Sequence, residues 1–320
     1  MPKVSVIIPT HNRAHFLPGA ILSVLNQTFQ DFEIIVVDDA SSDKTSEIVA
    51  AFNDERIRFF RHDTNKGGSA ARNTGILNSK CDYIAFLDDD DEWLPEKLAK
   101  QMDILLASPP EVGCVYTGYV MVDRTSGRVI DQRLPTKRGN LYKDLLMTNC
   151  VAGGTSSALL RKNCLQKVGL FDENLPRSQD FDLWLRMAKV FLFEYVPEPL
   201  FKYYIHENRI STNLDAQSRG LEIVVKKYRD LPLSKTGYSK EYMSLGVMFC
   251  LAGNAKEGRK ALVKSIKMAP FGIKHYSYLC LSVLGAHNLQ RLIEMKDKLR
   301  SKERRQGLMK FFEGKNLGNP

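Results

Sequence analysis

Asp88-Asp89-Asp90-Asp91 sets four carboxylates in a row. Adjacent negative charges repel one another unless a cation is near. Hard divalent cations prefer oxygen ligands and bridge phosphates. The run therefore reads either as a metal site for a diphosphate or as the acidic, solvated start of a helix predicted near Pro95. Asp38 and Asp39 close a β-branched run. They read as hydrogen-bond partners of a base or ribose, or as turn and helix caps with Ser41 and Ser42. Arg72, just inside a helix that follows Gly67-Gly68, reads as a contact to a nucleotide's base or phosphate, or as a solvated arginine. Asp180, beside Gln179 and ahead of an amphipathic segment, is the best candidate for a general base. Asp182 competes with it, and an N-cap is the plain alternative. His206 reads as a metal or phosphate ligand, or as a structural histidine.

These residues need elements to position them. Val4 to Ile8 and Ile34 to Val37 are short apolar runs of buried-strand type, and Arg56 to Arg61 and Tyr83 to Leu87 are further strands. Leu17, Ala20, Ile21, Val24 and Leu25 recur at helical spacing. Ile48, Val49 and Phe52 continue a second helix, and Ala70 to Leu77 a third. Strands alternating with helices predict βαβ units and a mainly parallel sheet, whose ligands bind beyond the carboxyl ends of the strands. Polar clusters stand at those ends: Thr10 to Arg13, Asp38 to Asp43 and Asp88 to Asp91.

The middle of the chain is less regular. Val112 to Val122 reads as a strand and Gly153 to Ser157 as a small-residue stretch. Pro197 and Pro199 are expected to end the unit that contains Leu183, Trp184 and Met187, with Phe201 to Ile205 resuming an extended run. From residue 213 helix formers dominate. Ser244 to Ala269 is expected to form two helices turning at Gly253-Asn254, similar to one tetratricopeptide hairpin. The last ~20 residues are basic with few apolar anchors, and a frayed tail is expected there.

Hydrophobic residues make up 43% and charged residues 26% of the 320, enough apolar material for a sizeable soluble core. The net charge of +9 favours phosphate-bearing substrates, an anionic membrane surface or nucleic acid. No nucleic-acid module supports the last. Six scattered cysteines with no Cys-x-x-Cys pair read as reduced, and the strand-like opening speaks against a signal peptide, so a cytoplasmic location is expected. The longest C-terminal apolar candidate, Tyr278 to Ala286, is far shorter than the ~20 residues that a membrane helix needs. No Walker A loop, G-x-G-x-x-G, H-E-x-x-H or G-x-S-x-G is present, which counts against kinases, dehydrogenases, zinc proteases and serine hydrolases. A nucleotidyltransferase would carry a glycine-rich loop after the first strand, where Pro9 to Arg13 has no glycine. A non-catalytic scaffold would have no use for intact Asp90 and Asp180.

In series, the segments Val4 to Arg13, Phe32 to Asp43, Asn65 to Asn73, Tyr83 to Leu98 and Gly169 to Arg186 resemble glycosyltransferase family 2, over residues 3–212. The resemblance implies a GT-A fold: a Rossmann-like, mainly parallel sheet flanked by helices, here with an α-helical C-terminal extension. Residues 1–110 would bind the nucleotide sugar, 111–212 the acceptor, and 213–320 would form the helical region. It implies an inverting, metal-dependent transfer of a sugar from a nucleotide-diphosphate sugar, UDP-sugars being the family's commonest donors. The acceptor would be a hydroxyl of a saccharide or lipid-linked glycan. Pro9, Thr10, Asp39 and Arg72 would bind the nucleotide, and Asn12 and Arg13 belong to the matched donor loop, as Asp38 belongs to the second strand's acids. Asp88 and Asp90 would be the Asp-x-Asp pair for Mn2+ or Mg2+, with Asp89 near ribose or sugar, His206 by the diphosphate and Asp180 as the base. The chain departs from the family at Gln179, where glutamate is common. Phe201 to Ser211 is a candidate closing loop, and the basic C-terminal region a candidate for peripheral membrane contact.

Overall fold

The computed structural model describes residues 3–206, 214–228, 230–231, 234–285 and 290–291. The chain divides into two compact units, Met1–Glu207 and Asn208–Pro320.

In the first unit, β1 (Val4–Thr10) and β2 (Phe32–Asp38) are buried at every position, as β-branched runs are when both sheet faces are covered. With β3 (Ile57–Arg61) and β4 (Tyr83–Phe86) they form a parallel array in the order β3-β2-β1-β4. The crossovers carry α1 (Leu17–Leu25), α2 (Thr45–Ala50) and α3 (Gly68–Asn78). α1 buries Leu17, Ala20, Ile21 and Val24, one helical stripe. α3 lies hard against β1: a Cβ on Gly75 would stand 2.4 Å from Ile7 Cγ2. That close approach fixes the depth at which Arg72, three residues earlier, leaves the helix.

The rest of a nine-stranded sheet is mixed. β5 (Glu92–Trp93) and α4 (Lys97–Ala107) precede β6 (Val112–Asp123), β7 (Val129–Arg133) and α5 (Tyr142–Met147). A 3-10 turn at Gly154–Ser157 leads into β8 (Ala158–Arg161), then α6 (Lys162–Val168), α7 (Gln179–Ala188) and β9 (Leu192–Ile205). β8 runs antiparallel between β4 and β6, β9 runs parallel to β6, and β5 and β7 are antiparallel additions.

Two sequence expectations change here. Pro197 and Pro199 do not end an element: β9 runs through them. A register shift against β6, where Thr117 faces Val196 but Gly118 faces Pro199, absorbs residues that cannot donate to a ladder. Asp180 is not an N-cap either, since α7 starts at Gln179 behind Ser178, and no side chain caps it.

The core joins Val6, Ile8, Ile34 and Val36 to Leu98, Met102, Leu159 and Phe201. Lys97 is wholly enclosed in it. Its Nζ donates to Gln101 Oε1 at 2.7 Å and lies 3.9 Å from the centre of the Trp93 ring. Gln101 in turn donates to the carbonyls of Val115 and Ser157, tying α4 to the sheet. Burial pushes the Lys97 pKa well down.

The second unit is helical: α8 (Leu214–Lys227), α9 (Ser234–Leu251), α10 (Ala255–Met268) and α11 (Ile273–Val283). α9 and α10 form the hairpin expected at Gly253-Asn254, and Asn254 caps α10 by accepting from the Glu257 N–H. Gly246 and Gly258 face each other across it, each so close to the other helix that a Cβ would meet backbone. Among the described residues no helix is long and apolar enough to cross a membrane, and the six cysteines form no disulfide. The basic tail and the part of the candidate closing loop from 207 to 211 lie outside the described residues.

Candidate functional site

The ends of β1, β2 and β4 bring the three polar clusters to one sheet edge. The four aspartates after β4 do not act as one acidic block, because each is engaged by groups from elsewhere in the chain. Asp88 meets Arg72 Nη2 at 2.5 Å and accepts from Thr155 Oγ1 at 3.3 Å. Asp89 and Asp90 share Arg13 Nη1, at 2.9 and 2.8 Å. Asp90 also meets His206 Nε2, at 3.0 Å. Asp91 is buried and accepts from Ser156 Oγ at 2.8 Å. Two arginines thus supply much of the positive charge that the run demands. Burial pushes the Asp89 carboxyl up to about 7 despite Arg13, and the Asp90 charge adds to the rise. Burial alone would lower the Arg13 pKa, but Asp89 and Asp90 more than offset it and hold it above its ordinary value.

The loops after β1 and β2 are braced against each other. Asn12 takes a left-handed conformation, with φ at 54°. Its N–H donates to Ser41 Oγ at 2.8 Å, and its Oδ1 accepts from the Ser42 N–H at 2.7 Å. Pro9 and Thr10 are buried at the end of β1, and the Thr10 carbonyl accepts from the Asp39 N–H. Asp39 Oδ1 meets His62 Nδ1 at 2.7 Å and accepts from the Lys66 N–H, while Oδ2 accepts from the Gly67 N–H. A carboxylate has about four acceptor sites, so one stays open on Oδ2 and Asp39 remains a candidate contact. Asp38 is corrected: it is fully enclosed, accepts from the Ser41 N–H at 2.9 Å and lies 3.5 Å from Arg61. It builds the turn and has no edge to offer a substrate.

Across from Asp88 stands the start of α7. Arg72 Nη1 donates to Gln179 Oε1 at 3.4 Å, so one guanidinium spans from the β4 end to α7. Asp180 is half-buried. Burial raises its pKa, and Asp88 adds to that; Arg72 and a hydrogen bond from Asn149 Nδ2, 3.3 Å from Oδ2, pull the other way. Asp182 is excluded as a base. It is fully buried and paired with Arg186 at 2.8 Å, and Arg186 also ties down the carbonyls of Val168, Gly169 and Leu170.

Several functional neighbours carried no sequence signal. Arg124 lies between the Phe16 and Tyr204 rings, 4.3 and 4.4 Å from their centres, and donates to the Asp90 carbonyl at 3.1 Å. Phe16 packs on the His206 ring at 4.5 Å, so this stack seats the imidazole that meets Asp90. Ser156 donates to Asp91 and accepts from the Asp88 N–H. In sequence the run Gly153 to Ser157 is only a small-residue stretch, and nothing about Asn149 marks it out.

The donor chemistry suits a hard divalent cation. Asp90 and His206 offer an oxygen and a nitrogen side by side, with Asp88 and Asp89 adjoining. Among the described residues no three such groups converge.

Three comparisons bear on the site. The model of the family described as glycosyl transferase family 2 matches residues 5–169. An uncharacterized glycosyltransferase of Rickettsia typhi is 35% identical over 210 residues, 64% of this chain and 65% of the relative; the chain thus spans less than two thirds of that relative's length. The Escherichia coli UDP-Glc:alpha-D-GlcNAc-diphosphoundecaprenol beta-1,3-glucosyltransferase WfgD is 28% identical over 246 residues, 76% of this chain and 93% of the relative. Among solved structures, the mannosyltransferase PcManGT of Pyrobaculum calidifontis, in complex with GDP-Man and Mn2+, superposes with a TM-score of 0.57. Its identity is 17%, covering 90% of this chain and 85% of that one. The fold is of this GT-A type, a mixed, mostly parallel sheet between helices followed by C-terminal helices.

Proposed function

Because the chain belongs to glycosyl transferase family 2, we propose that it moves a sugar from a UDP-linked donor onto a hydroxyl of a saccharide or lipid-linked glycan, with inversion at the anomeric carbon. The proposed setting is surface glycan assembly on the cytoplasmic side of the membrane. The observation that carries the reading is Arg72, which reaches both Asp88 and Gln179 and so brings the aspartate run and the base-bearing helix to one place.

Asp180 is the proposed base. It takes the acceptor's proton as the oxygen attacks from the face opposite the departing diphosphate. Its raised pKa makes it a stronger proton acceptor than an ordinary carboxylate, and Asn149 orients it. Arg13 and Arg72 set fixed positive charge toward the diphosphate. Thr10, Asn12 and Asp39 shape the donor loop, and Asp89 lies toward the ribose or sugar. Asp90 and His206, with Asp88 adjoining, would hold Mn2+ or Mg2+. Such an ion, when bound, neutralises charge on the leaving nucleoside diphosphate. WfgD's name pairs UDP-glucose with a diphosphoundecaprenol-linked acceptor, which favours the UDP and lipid-linked readings. The Mn2+ in the Pyrobaculum complex favours a divalent ion.

The test is nucleoside-diphosphate release by the full chain across UDP-, GDP- and dTDP-sugars, with Mn2+ or with chelator. Metal-dependent release that vanishes in Asp90→Ala and falls at least ~100-fold in Asp180→Asn is expected. No release with any donor, together with no donor binding by calorimetry, overturns the reading.

A further inference from the structure

The two units differ sharply in charge. Of the 46 basic and 37 acidic residues, 22 and 9 follow residue 207, so the second unit carries +13 and the first −4. Within the second unit the excess has a focus. From Gly258 to Gly285 there is no acidic residue, while Arg259, Lys260, Lys264, Lys267 and Lys274 are basic. Lys260 pairs with Glu257 and Lys264 with Glu222, which leaves Lys267 and Lys274 as the cations next to the turn in sequence.

Among the described residues of the unit, the most exposed large apolar side chains lie in the same segment. At the turn between α10 and α11, Phe271 is 96% and Ile273 81% exposed; at the far end of α11, Val283 and Leu284 are 64% and 67% exposed. Helical spacing puts Ile273, Tyr276, Cys280 and Leu284 on one face, opposite the buried His275 and Ser282. His275 meets Ser265 Oγ at 2.6 Å, which anchors the inner face to α10. α11 packs Tyr278, Leu279 and Leu281 as well as His275 and Ser282 inward, and still presents Ile273, Tyr276 and Leu284 outward, so apolar side chains lie on both faces. The flanking Lys267 and Lys274 are exposed beside it.

We propose that this surface docks on an anionic lipid bilayer, with Phe271 and Ile273 entering the interface and the lysines meeting lipid phosphates. Large exposed apolar side chains at 271 and 273 with exposed Lys267 and Lys274 near them in sequence suit a surface that is apolar within and negative at its face. Docking would hold the second unit at the surface where a lipid-linked acceptor resides. It does not depend on the catalytic reading, because it is tested without turnover.

The test is co-sedimentation of the full chain with phosphatidylcholine vesicles, with and without phosphatidylglycerol, at low and high salt. Binding to the anionic vesicles alone, weakened by salt, is expected. Phe271→Ser/Ile273→Ser should weaken it by about tenfold or more, with the melting temperature unchanged because both sites are exposed. Phe271→Trp should show blue-shifted emission on anionic vesicles. Absence of vesicle binding, binding unaltered in the double variant, or emission unshifted in the Trp variant would overturn the proposal. So would a wild-type dimer that the double variant converts to monomer without any vesicle binding, which would assign the face to a second copy of the chain.

Discussion

His206 Nε2 lies 3.0 Å from Asp90 Oδ2, joining the end of β9 to the end of β4 across 116 residues of sequence. The imidazole is held there by its neighbours: Phe16 stacks on it, and Arg124 stacks on Phe16. A group placed so firmly beside a candidate metal-binding carboxylate has a measurable consequence. His206→Ala should raise the Mn2+ concentration for half-maximal activity by about tenfold. Mn2+ titration followed by electron paramagnetic resonance should show the same loss of affinity. An unchanged Mn2+ dependence would remove His206 from the site.

Asp180 should set the acidic limb of the pH–rate profile. A base must be deprotonated to act, and its folded pKa is raised by burial, so activity should fall away at a pH above the ordinary carboxylate range. The hydrogen bond from Asn149 stabilises the charged form. Asn149→Ala removes it, so the limb should move further up in pH while activity on the alkaline side is largely kept. A profile that scales down uniformly without moving would show that Asn149 serves only the local fold.

Lys97 gives a stability prediction with a definite sign. Its folded pKa lies well below the ordinary ~10.4, so between those values the unfolded chain binds the extra proton and stability rises with pH. Lys97→Met removes that dependence. The urea midpoint of the wild type should therefore gain on that of Lys97→Met as pH is raised toward 10. Parallel midpoints at all pH values would mean that the amine stays charged in the core. The slope is the firm quantity, because the variant also strips Gln101 Oε1 of its donor.

At Gly75 two effects of opposite sign compete. Alanine in a helix interior gains about 1 kcal/mol over glycine. Here its methyl would stand 2.4 Å from Ile7 Cγ2, and overpacking of that kind costs about 1–3 kcal/mol. Gly75→Ala should thus lower the melting temperature, and it should weaken donor binding by lifting Arg72 from its seat. A stabilised variant would show that α3 can shift without cost.

The parallel half of the sheet was legible in the sequence because buried β-branched runs separated by amphipathic helices leave few other arrangements. β1, β2 and α3 fall where periodicity puts them. The passage of β9 through Pro197 and Pro199 was not legible, since the register shift that tolerates them belongs to its partner strand as much as to itself. The site followed the same divide. Carboxylates at strand ends announced themselves by type and place, and Asp180 by its place next to an amphipathic segment, although it lies in the first turn of α7 and not ahead of it. The partners that decide what each carboxylate does came from far along the chain: Ser156 for Asp91, Asn149 for Asp180, Arg13 for both Asp89 and Asp90. Asp38 and Asp39 are adjacent and alike in sequence; only the fold shows that Asp38 holds the turn at Ser41 while Asp39 holds His62 and the Lys66 and Gly67 amides.

The four aspartates take their partners from four separate elements, which has a consequence for how the first unit folds. Arg13 arrives from the loop after β1, Arg72 from α3, Ser156 from the turn before β8 and His206 from the end of β9. Until all four have docked, the run between β4 and β5 holds uncompensated charge and resists burial. Burial of the run is thus expected to await the docking of these elements. On the proposed function, a chain not yet folded through β9 would lack the His206–Asp90 contact and with it a complete donor site.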